Sequence, residues 1–364
     1  MPEYVRILFL ADTHLGFDLP MRPRIDRRRR GRDFLANYAT ALAPALAGEV
    51  DVVVHGGDVF DRSHVAPVIA YRALEPLRAV ADRGVPVFIV PGNHERSRLP
   101  HPHFAAHPGV HLFDRPRTFT VEVGGLTLAI SGFPYERRGV RQRFVALLQE
   151  TEWPSRPADL RLLCMHQCVE GAAVGPSNYT FTTAEDVVRA SDLPAGFAAV
   201  LSGHIHRHQV LTRDLRGAPL AAPVLYPGSI ERTALAELGE PKGFLLLRLE
   251  SRADGSRCSV DWEFRALPAR PMIRERVVAG GGDPRLLDEA IRGIVAAAPP
   301  DAVLSIGVSG TIGAAEWRVM SASHIRGYAP PTLNVEIRIL DRAMVRRHRA
   351  RESASPPDAQ LSMW

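Results

Sequence analysis

The sequence VRILFLADTH, at residues 5–14, is the first of a series of segments that together indicate the fold of this protein. Val5 to Ala11 is an apolar run of strand length, and Asp12 and His14 follow it directly. Open α/β sheets bind their ligands at the carboxyl ends of strands, so this order predicts a carboxylate and an imidazole at a sheet edge. Taken alone the pattern is weak, because a single histidine is usually an ordinary hydrogen-bonded side chain.

Four more apolar runs end in polar residues of the same kinds. The groups that follow them are Gly56-Gly57-Asp58, Gly92-Asn93-His94-Glu95, His166 and Gly203-His204-Ile205-His206. Five strand ends thus deliver oxygen and nitrogen donors of the kinds that ligate metal ions. Several such motifs in series, each after a strand, are far less probable by chance than any one of them.

The rest of the chain predicts an α/β protein in two parts. Later segments are richer in strand than in helix, which predicts two sheets packed together. The periodicity predicts helices at Asp33 to Leu46, Pro67 to Asp82 and Val140 to Glu150, and a hairpin of Thr118 to Val123 with Leu126 to Ser131.

A proline-containing segment, Arg265 to Pro271, marks a predicted domain boundary. It separates a first domain at 1–265 from a small βαβαβ unit at 266–340, whose second helix is predicted as one continuous element from Ala314 to Ile325. Residues 341–364 are predicted to be a basic segment and a disordered tail.

Composition excludes disordered and fibrous proteins, because 46% of the 364 residues are hydrophobic and 23% are charged. The net charge is +5, and Lys242 is the single lysine among 45 basic residues. This mild excess permits a phosphate-bearing partner without requiring one. Cys164, Cys168 and Cys258 lack the spacing of a zinc site and are predicted to be reduced core thiols. With no signal or membrane-spanning run, we expect a cytoplasmic protein with no membrane partner.

In order, the motifs resemble the metallophosphoesterase signature D-x-H, G-D, G-N-H-[DE], H and G-H-x-H, complete from Asp12 to His206. Within that superfamily the sequence is most similar to the SbcD-type DNA repair exonucleases. A second motif, Tyr226 to Thr233 leading to Lys242-Gly243-Phe244, supports this resemblance. It implies a metallophosphoesterase β-sandwich flanked by helices (αββα), followed by a small α+β capping domain.

The resemblance also implies a site for two divalent metals, most favourably Mn²⁺, with Mg²⁺ or others possible. Mixed nitrogen and oxygen donors suit Mn²⁺, and the absence of thiolate argues against a structural zinc site. The family pattern assigns Asp12, His14 and His206 to one metal, Asn93, His166 and His204 to the other, and Asp58 to both.

His94 is the catalytic residue that the resemblance implies. It is expected to contact the scissile phosphate and assist the leaving oxygen while a metal-activated water attacks. The alternative is a histidine that only orients the ligands. Asp61 stands where some family members have histidine, so a phosphate-handling role at that position is in doubt. His55, His64 and His208 match no ligand position, and we expect them at the surface or behind the ligands.

A cluster of seven arginines follows the first motif. Its members are Arg22, Arg24, Arg27, Arg28, Arg29, Arg30 and Arg32. Such a cluster predicts contacts to the phosphate backbone of DNA, which are salt-dependent and independent of sequence. The alternative is a solvated basic loop or the first turn of a helix.

The resemblance therefore implies a metal-dependent DNA exonuclease or endonuclease in repair. Two alternatives are a phosphodiesterase for a nucleotide or other small phosphodiester, and a DNA-end-binding scaffold with a vestigial site. Family members are typically homodimers and usually work with an SbcC-type SMC-like ATPase, which docks after the capping domain. Only 24 residues follow Leu340, so that partner is left open.

Overall fold

The computed structural model describes residues 4–18, 30–95, 106–251, 258–280 and 283–340. The chain divides into two compact units that meet in sequence between Ala269 and Arg270. The last strand of the first unit continues to Leu267, so this unit runs past residue 265. The predicted tail at 341–364 lies outside the described residues. In the described ranges, no helix is both long and apolar enough to cross a bilayer.

The first unit contains sixteen strands and three α-helices within its described residues. In chain order they are β1 Tyr4–Leu10, α1 Gly31–Leu46, β2 Val52–His55, α2 Pro67–Ala81, β3 Val87–Ile89, β4 Val110–Leu112, β5 Arg117–Val123, β6 Leu126–Gly132, α3 Val140–Glu150, β7 Leu160–Met165, β8 Cys168–Val169, β9 Ala173–Val174, β10 Tyr179–Thr180, β11 Val187–Val188, β12 Ala199–Ser202, β13 Gln209–Arg213, β14 Pro219–Tyr226, β15 Lys242–Glu250 and β16 Ser259–Leu267.

Two six-stranded sheets form the centre of this unit. The first has the order β16-β15-β1-β2-β3-β4, and the second has the order β13-β14-β12-β7-β6-β5. Strands β1 to β4 are parallel, as are β6, β7, β12 and β14, while the outer strands β15, β16, β13 and β5 pair antiparallel. Parallel neighbours end at the same edge, so the loops that follow β1, β2 and β3, and those that follow β7 and β12, are brought together.

Side-chain alternation along the strands explains the layers. In β1, Ile7 and Phe9 point into the core between the two sheets, while Leu8 and Leu10 point to the opposite face. In β7, Leu162 lies in the core between the sheets. Strands that bury both faces need helices on the outside, which is why these runs are apolar throughout.

The helices cover the outer faces of both sheets. Phe34 and Tyr38 of α1 pack with Leu77 of α2 in the core outside the first sheet, and Phe144 of α3 packs with Met165 outside the second. The Tyr38 hydroxyl donates to the Ala73 carbonyl at 2.9 Å, which ties α1 to α2. The predicted αββα sandwich is therefore confirmed.

The second unit is a small parallel sheet with helices. Its elements are β17 Met272–Ala279, α4 Pro284–Ala297, β18 Val303–Gly310, α5 Ala314–Val319, α6 Ala322–Arg326 and β19 Asn334–Ile339. The strand order is β17-β18-β19, and Ile291 of α4 packs with Leu304 of β18 in its core. The single helix predicted from Ala314 to Ile325 is wrong, because Ser321 adopts an extended conformation and its side chain caps a new helix.

Candidate metal centre

Five parallel strand ends bring all seven predicted metal ligands into one cluster. Asp12 and His14 follow β1, Asp58 follows β2 and Asn93 follows β3, all in the first sheet; His166 follows β7, and His204 and His206 follow β12, all in the second. The cluster therefore spans the two sheets and depends on their packing. Most of it is buried, with Asp12, His14, Asp58 and His166 each at most 2% exposed.

One group of potential metal-ligating atoms lies where β3, β7 and β12 end. Asn93 Oδ1 lies 3.0 Å from His166 Nε2 and 2.8 Å from His204 Nδ1. His166 Nε2 is also 3.4 Å from Asp58 Oδ2. These are the residues that the sequence assigns to the second metal, together with the bridging carboxylate.

A second group of donor atoms lies beside the first. His14 Nε2 is 3.0 Å from His206 Nε2 and 3.9 Å from Asp58 Oδ2. His206 Nε2 is 3.9 Å from Asp12 Oδ1, and one ligand atom from each of Asp12, His14 and His206 lies within 4.8 Å of the others. Asp58 Oδ2 thus faces both groups.

The tautomers implied by the hydrogen bonds fit a metal site. His166 Nδ1 donates to the Gly56 carbonyl at 2.7 Å, so Nε2 presents its lone pair to Asn93 Oδ1. His206 Nδ1 donates to Glu237 at 3.1 Å, so its Nε2 lone pair faces His14. Lone pairs that face one another at 3 Å repel unless a proton or cation lies between them. This donor set fits a pair of divalent cations.

Burial and the neighbouring charges also shift the pKa values of the clustered side chains. Burial lowers the pKa of His166, but the charge of Asp58 outweighs it and raises that pKa to about 9. Burial would raise the pKa of Asp58, yet the charge of His166 and its hydrogen bond hold the pKa of Asp58 below its ordinary value. Burial lowers the pKa of His204 to about 3 and also lowers that of His14. Metal binds neutral imidazole, so a cation at this site would have to displace the Nε2 proton that Asp58 favours on His166.

Backbone strain is concentrated at the site. Four of the seven proposed ligands have φ in the left-handed region, at 52° for Asp12, 42° for His14, 52° for Asp58 and 80° for His204. Such conformations cost of order 1–3 kcal/mol each outside glycine and cluster at functional sites. Hydrogen bonds hold them here: the His14 amide donates to the Asp58 carbonyl at 3.0 Å, and the His204 amide donates to both Asp12 oxygens at 3.1 Å.

Glycines inside the motifs allow the ligand loops to approach closely. A Cβ at Gly92 would collide with Asp58 Oδ1 and lie 2.5 Å from the Asp58 amide nitrogen. Gly57 has φ of 103°, and a Cβ there would overlap the ring of His166. The glycines of G-D and G-N-H are therefore required by the packing of the ligands against backbone.

His94 lies at the open side of the cluster, with its side chain 37% exposed. Its amide donates to Asp58 Oδ1 at 2.9 Å, and its Nε2 is 3.8 Å from Asp58 Oδ2. Its ring also meets the His14 ring edge to face, with centroids 4.7 Å apart. His94 is thus beside the proposed ligands and reachable from outside, as its predicted role requires.

The other histidines near the motifs have structural partners. His55 is buried, its Nε2 is 3.0 Å from Thr13 Oγ1, and burial lowers its pKa to about 3. The ring of His208 stacks on Phe264 with centroids 4.2 Å apart. His64 is exposed. None of the three belongs to the two donor groups described above.

Three further residues serve the site and were not assigned a role from the sequence. Glu95 is 2% exposed and accepts from the amides of Phe60 at 2.7 Å and Gly92 at 2.8 Å, which ties two ligand loops together. Tyr135 places its ring 5.5 Å from that of His204. Glu237 hydrogen-bonds to His206. The last letter of G-N-H-[DE] is the signal for Glu95, whereas nothing in the motifs singles out the other two.

The predicted DNA-binding arginines divide into three groups. Arg22, Arg24, Arg27, Arg28 and Arg29 lie outside the described residues. Arg30 is only 8% exposed; its guanidinium lies over the Phe17 ring at 5.2 Å and donates to the Arg232 carbonyl. Arg32 is exposed in the first turn of α1. Arg30 therefore packs against the protein, as in the alternative of a helix start.

The fold and this centre define a class of protein. The family model for calcineurin-like phosphoesterases matches residues 5–208, which include every proposed ligand. The chain belongs to this family.

Several relatives of this chain are named as DNA repair proteins or as a subunit of a nuclease. The chain is similar to the DNA double-strand break repair protein Mre11 of Aeropyrum pernix, with 26% identity over 76% of this chain and 64% of that protein. It is similar to Mre11 of Haloferax volcanii, at 29% identity over 76% and 56%. It is also similar to one subunit of the nuclease SbcCD of Bacillus subtilis, at 28% identity over 60% and 62%. The chain thus aligns with less than two thirds of the length of each of these relatives.

Among solved structures, a dimetal phosphatase from Danio rerio covers 72% of this chain and 99% of its own, at 14% identity and a TM-score of 0.42.

Proposed function

We propose that this chain is a two-metal phosphodiesterase that cleaves DNA in repair. The observation that carries the proposal is the convergence of seven proposed ligand side chains from both sheets, several of whose nitrogen and oxygen atoms lie 2.8 to 3.4 Å apart around Asp58. Membership of the calcineurin-like phosphoesterase family supports the reaction. The relatives named as double-strand break repair proteins and as part of a nuclease support the substrate.

The proposed division of labour follows from the geometry. When bound, two divalent cations would supply an activated water and neutralise charge on the phosphate. Asp58 would hold both cations through one carboxylate, while Asp12 fixes the His204 amide and so joins the first and last motifs. No protein nucleophile is needed in this scheme.

His94 would assist departure of the leaving oxygen. Its Nδ1 donates to the Asp61 carbonyl, which leaves Nε2 available 3.8 Å from Asp58 Oδ2. A proton held at Nε2 can pass to the leaving oxygen of a phosphodiester that reaches this exposed side.

Several finer points belong to the same proposal. We propose Mn²⁺ as the preferred metal, because the donors are mixed nitrogen and oxygen without thiolate. We propose a homodimer that works in the cytoplasm. An SbcC-type ATPase partner is proposed because the Bacillus subtilis relative is named as one subunit of the nuclease SbcCD.

The test is a nuclease assay on linear and hairpin DNA with Mn²⁺, with Mg²⁺ and with EDTA. We expect cleavage with metal and none with EDTA. Hydrolysis of a small chromogenic phosphodiester without any cleavage of DNA would replace the proposal by a small-molecule phosphodiesterase. DNA binding with no hydrolysis of either substrate would indicate a scaffold.

A further inference from the structure

The segment from Gly228 to Lys242 packs against the last metal-binding motif and has no role in the scheme above. It contains the second motif of the sequence, Tyr226 to Thr233 leading to Lys242. The Ser229 amide donates to the His206 carbonyl at 3.1 Å. Gly228 has φ of 79°, and a Cβ there would lie 2.8 Å from the His206 carbonyl oxygen. The segment is therefore built to lie directly on the backbone of His206.

Glu237 connects this segment to the imidazole of His206. Its Oε1 is 3.1 Å from His206 Nδ1 and accepts from the Thr233 hydroxyl at 2.6 Å. Its Oε2 accepts from Lys242 Nζ at 2.6 Å. A carboxylate that accepts a hydrogen bond from the Nδ1–H of a histidine fixes both the ring and the tautomer, leaving Nε2 free to bind a metal.

Lys242 holds the carboxylate and the histidine backbone at once. Its Nζ donates to the His206 carbonyl at 2.9 Å and to Glu237 at 2.6 Å, and lies 3.5 Å from Glu240 Oε2. The Lys242 side chain is 0% exposed. An ammonium has three donors on one compact atom, and here it meets three oxygens.

The choice of lysine at position 242 also indicates that the compact ammonium matters there. The chain uses arginine at every basic position except 242, that is at 44 of 45. An arginine has a longer, planar fork that cannot place one nitrogen among these three oxygens. The single lysine thus occurs at a position where three oxygens converge on one nitrogen.

We infer that Glu237 and Lys242 are positioning residues for His206: the ammonium fixes the carboxylate and the His206 carbonyl, and the carboxylate directs the imidazole toward one metal. This inference rests on the proposed role of His206 as a ligand. The inference predicts an effect on one of the two metal sites only. Among the described hydrogen bonds, Glu237 and Lys242 contact His206, and neither contacts a ligand proposed for the other metal.

The experiment is calorimetric titration of Mn²⁺ into the metal-free full chain. We expect Glu237→Gln and Lys242→Arg each to weaken one of two Mn²⁺ sites by about 10- to 100-fold while leaving the other unchanged. Raising the Mn²⁺ concentration should restore the DNA cleavage rate, since these residues do not touch the substrate.

Two controls match the changes. Glu170→Gln weakens another largely buried ion pair, in which Glu170 lies 2.6 Å from Arg141. This variant should lower stability without changing Mn²⁺ affinity. Arg248→Lys makes the reverse exchange at an exposed position of β15 and should change neither property.

Removing one partner of a buried pair can unfold a protein, so a double variant, Glu237→Gln with Lys242→Met, removes both charges together. In addition, ¹⁵N–¹H correlation spectra of histidine in the unmodified chain report the His206 tautomer, with His206→Gln to assign the signal. Neutral His206 should carry its proton on Nδ1. A folded double variant with two normal Mn²⁺ sites, or a proton on Nε2, overturns the inference. An unmodified chain that binds no Mn²⁺ overturns the proposed function instead.

Discussion

His94 Nδ1 lies 2.6 Å from the backbone carbonyl oxygen of Asp61. The imidazole is therefore oriented by the main chain at position 61 and not by the side chain there. The Asp61 carboxylate lies instead beside Arg62, at 3.4 Å. The departure from those family members that have histidine at this position thus leaves the orientation of His94 intact.

This geometry makes His94→Ala a test of catalysis separate from metal binding. We expect two Mn²⁺ ions to bind as before and turnover on DNA to fall by about a hundredfold or more, the range of general acid catalysis. Calorimetry and single-turnover cleavage measure the two effects. His64→Ala, at a nearby exposed histidine, should keep normal turnover. A His94→Ala variant with a near-normal rate would refute the assignment.

Asp58→Asn should remove metal binding. Asp58 Oδ2 faces both donor groups, and an amide carries no charge to balance two cations. Calorimetry should detect neither Mn²⁺ site at its normal affinity. Asp61→Asn is the matched control, because that carboxylate lies beside Arg62, and it should keep both sites. Two intact sites in Asp58→Asn would contradict the bridging role.

Metal should stabilise the folded chain. The donors come from both sheets and form a site only in the native state, so bound Mn²⁺ adds about 2.7 kcal/mol at a concentration 100 times its dissociation constant. For a domain of this size we expect a rise in Tm of roughly 5 °C for one bound ion, since each kcal/mol shifts Tm by about 2 °C in a large domain. Thermal scans with Mn²⁺ and with EDTA measure it. An equal rise in Asp58→Asn would show that the ion binds elsewhere.

Gly92→Ala should damage the site through a single methyl group. The new Cβ would collide with Asp58 and force the loop apart, at a cost of about 1–3 kcal/mol in the free energy of unfolding. We expect weaker Mn²⁺ binding as well. Gly293→Ala in α4 meets nothing within 4 Å and should instead stabilise the chain by about 0.5–1 kcal/mol. Urea unfolding compares the two variants, and equal effects would rule out the collision.

The arginine cluster should act on DNA and not on small substrates. Replacing Arg22, Arg24, Arg27, Arg28 and Arg29 by serine should weaken DNA binding and flatten its dependence on salt, because each lost phosphate contact lowers the salt slope by about one. Hydrolysis of a small chromogenic phosphodiester should be unchanged. Arg30→Ser is the contrasting variant: because Arg30 is buried, its replacement should lower the stability of the fold. Equal loss on both substrates would mean that the cluster is structural.

Strand ends and ligand order could be predicted from the sequence because both are local. An apolar run followed by Asp, Asn or His predicts a side chain at a sheet edge. Parallel pairing brings such strand ends together within each sheet, and the packing of the two sheets then joins them. The helix Val140–Glu150 is predicted with its observed bounds for the same reason, since its apolar face repeats along the segment.

Three features could not be predicted, because they depend on contacts between distant segments or on competing local signals. The charge of Arg30 suggests exposure, but the Phe17 ring and the Arg232 carbonyl bury it. Glu237 lies 31 residues from the histidine it contacts. At Ser321 the capping side chain competes with helical periodicity and ends the predicted helix.

The division of the ligands between two sheets has a consequence for how activity can arise in the cell. Neither sheet alone carries a complete set for either proposed metal: the Asp12 group needs His206, and the Asn93 group needs His166 and His204. A chain that is still being synthesised, or one that has formed only half of its sandwich, therefore has neither proposed metal site complete. The proposed nuclease would remain inactive until folding brings the two sheets together.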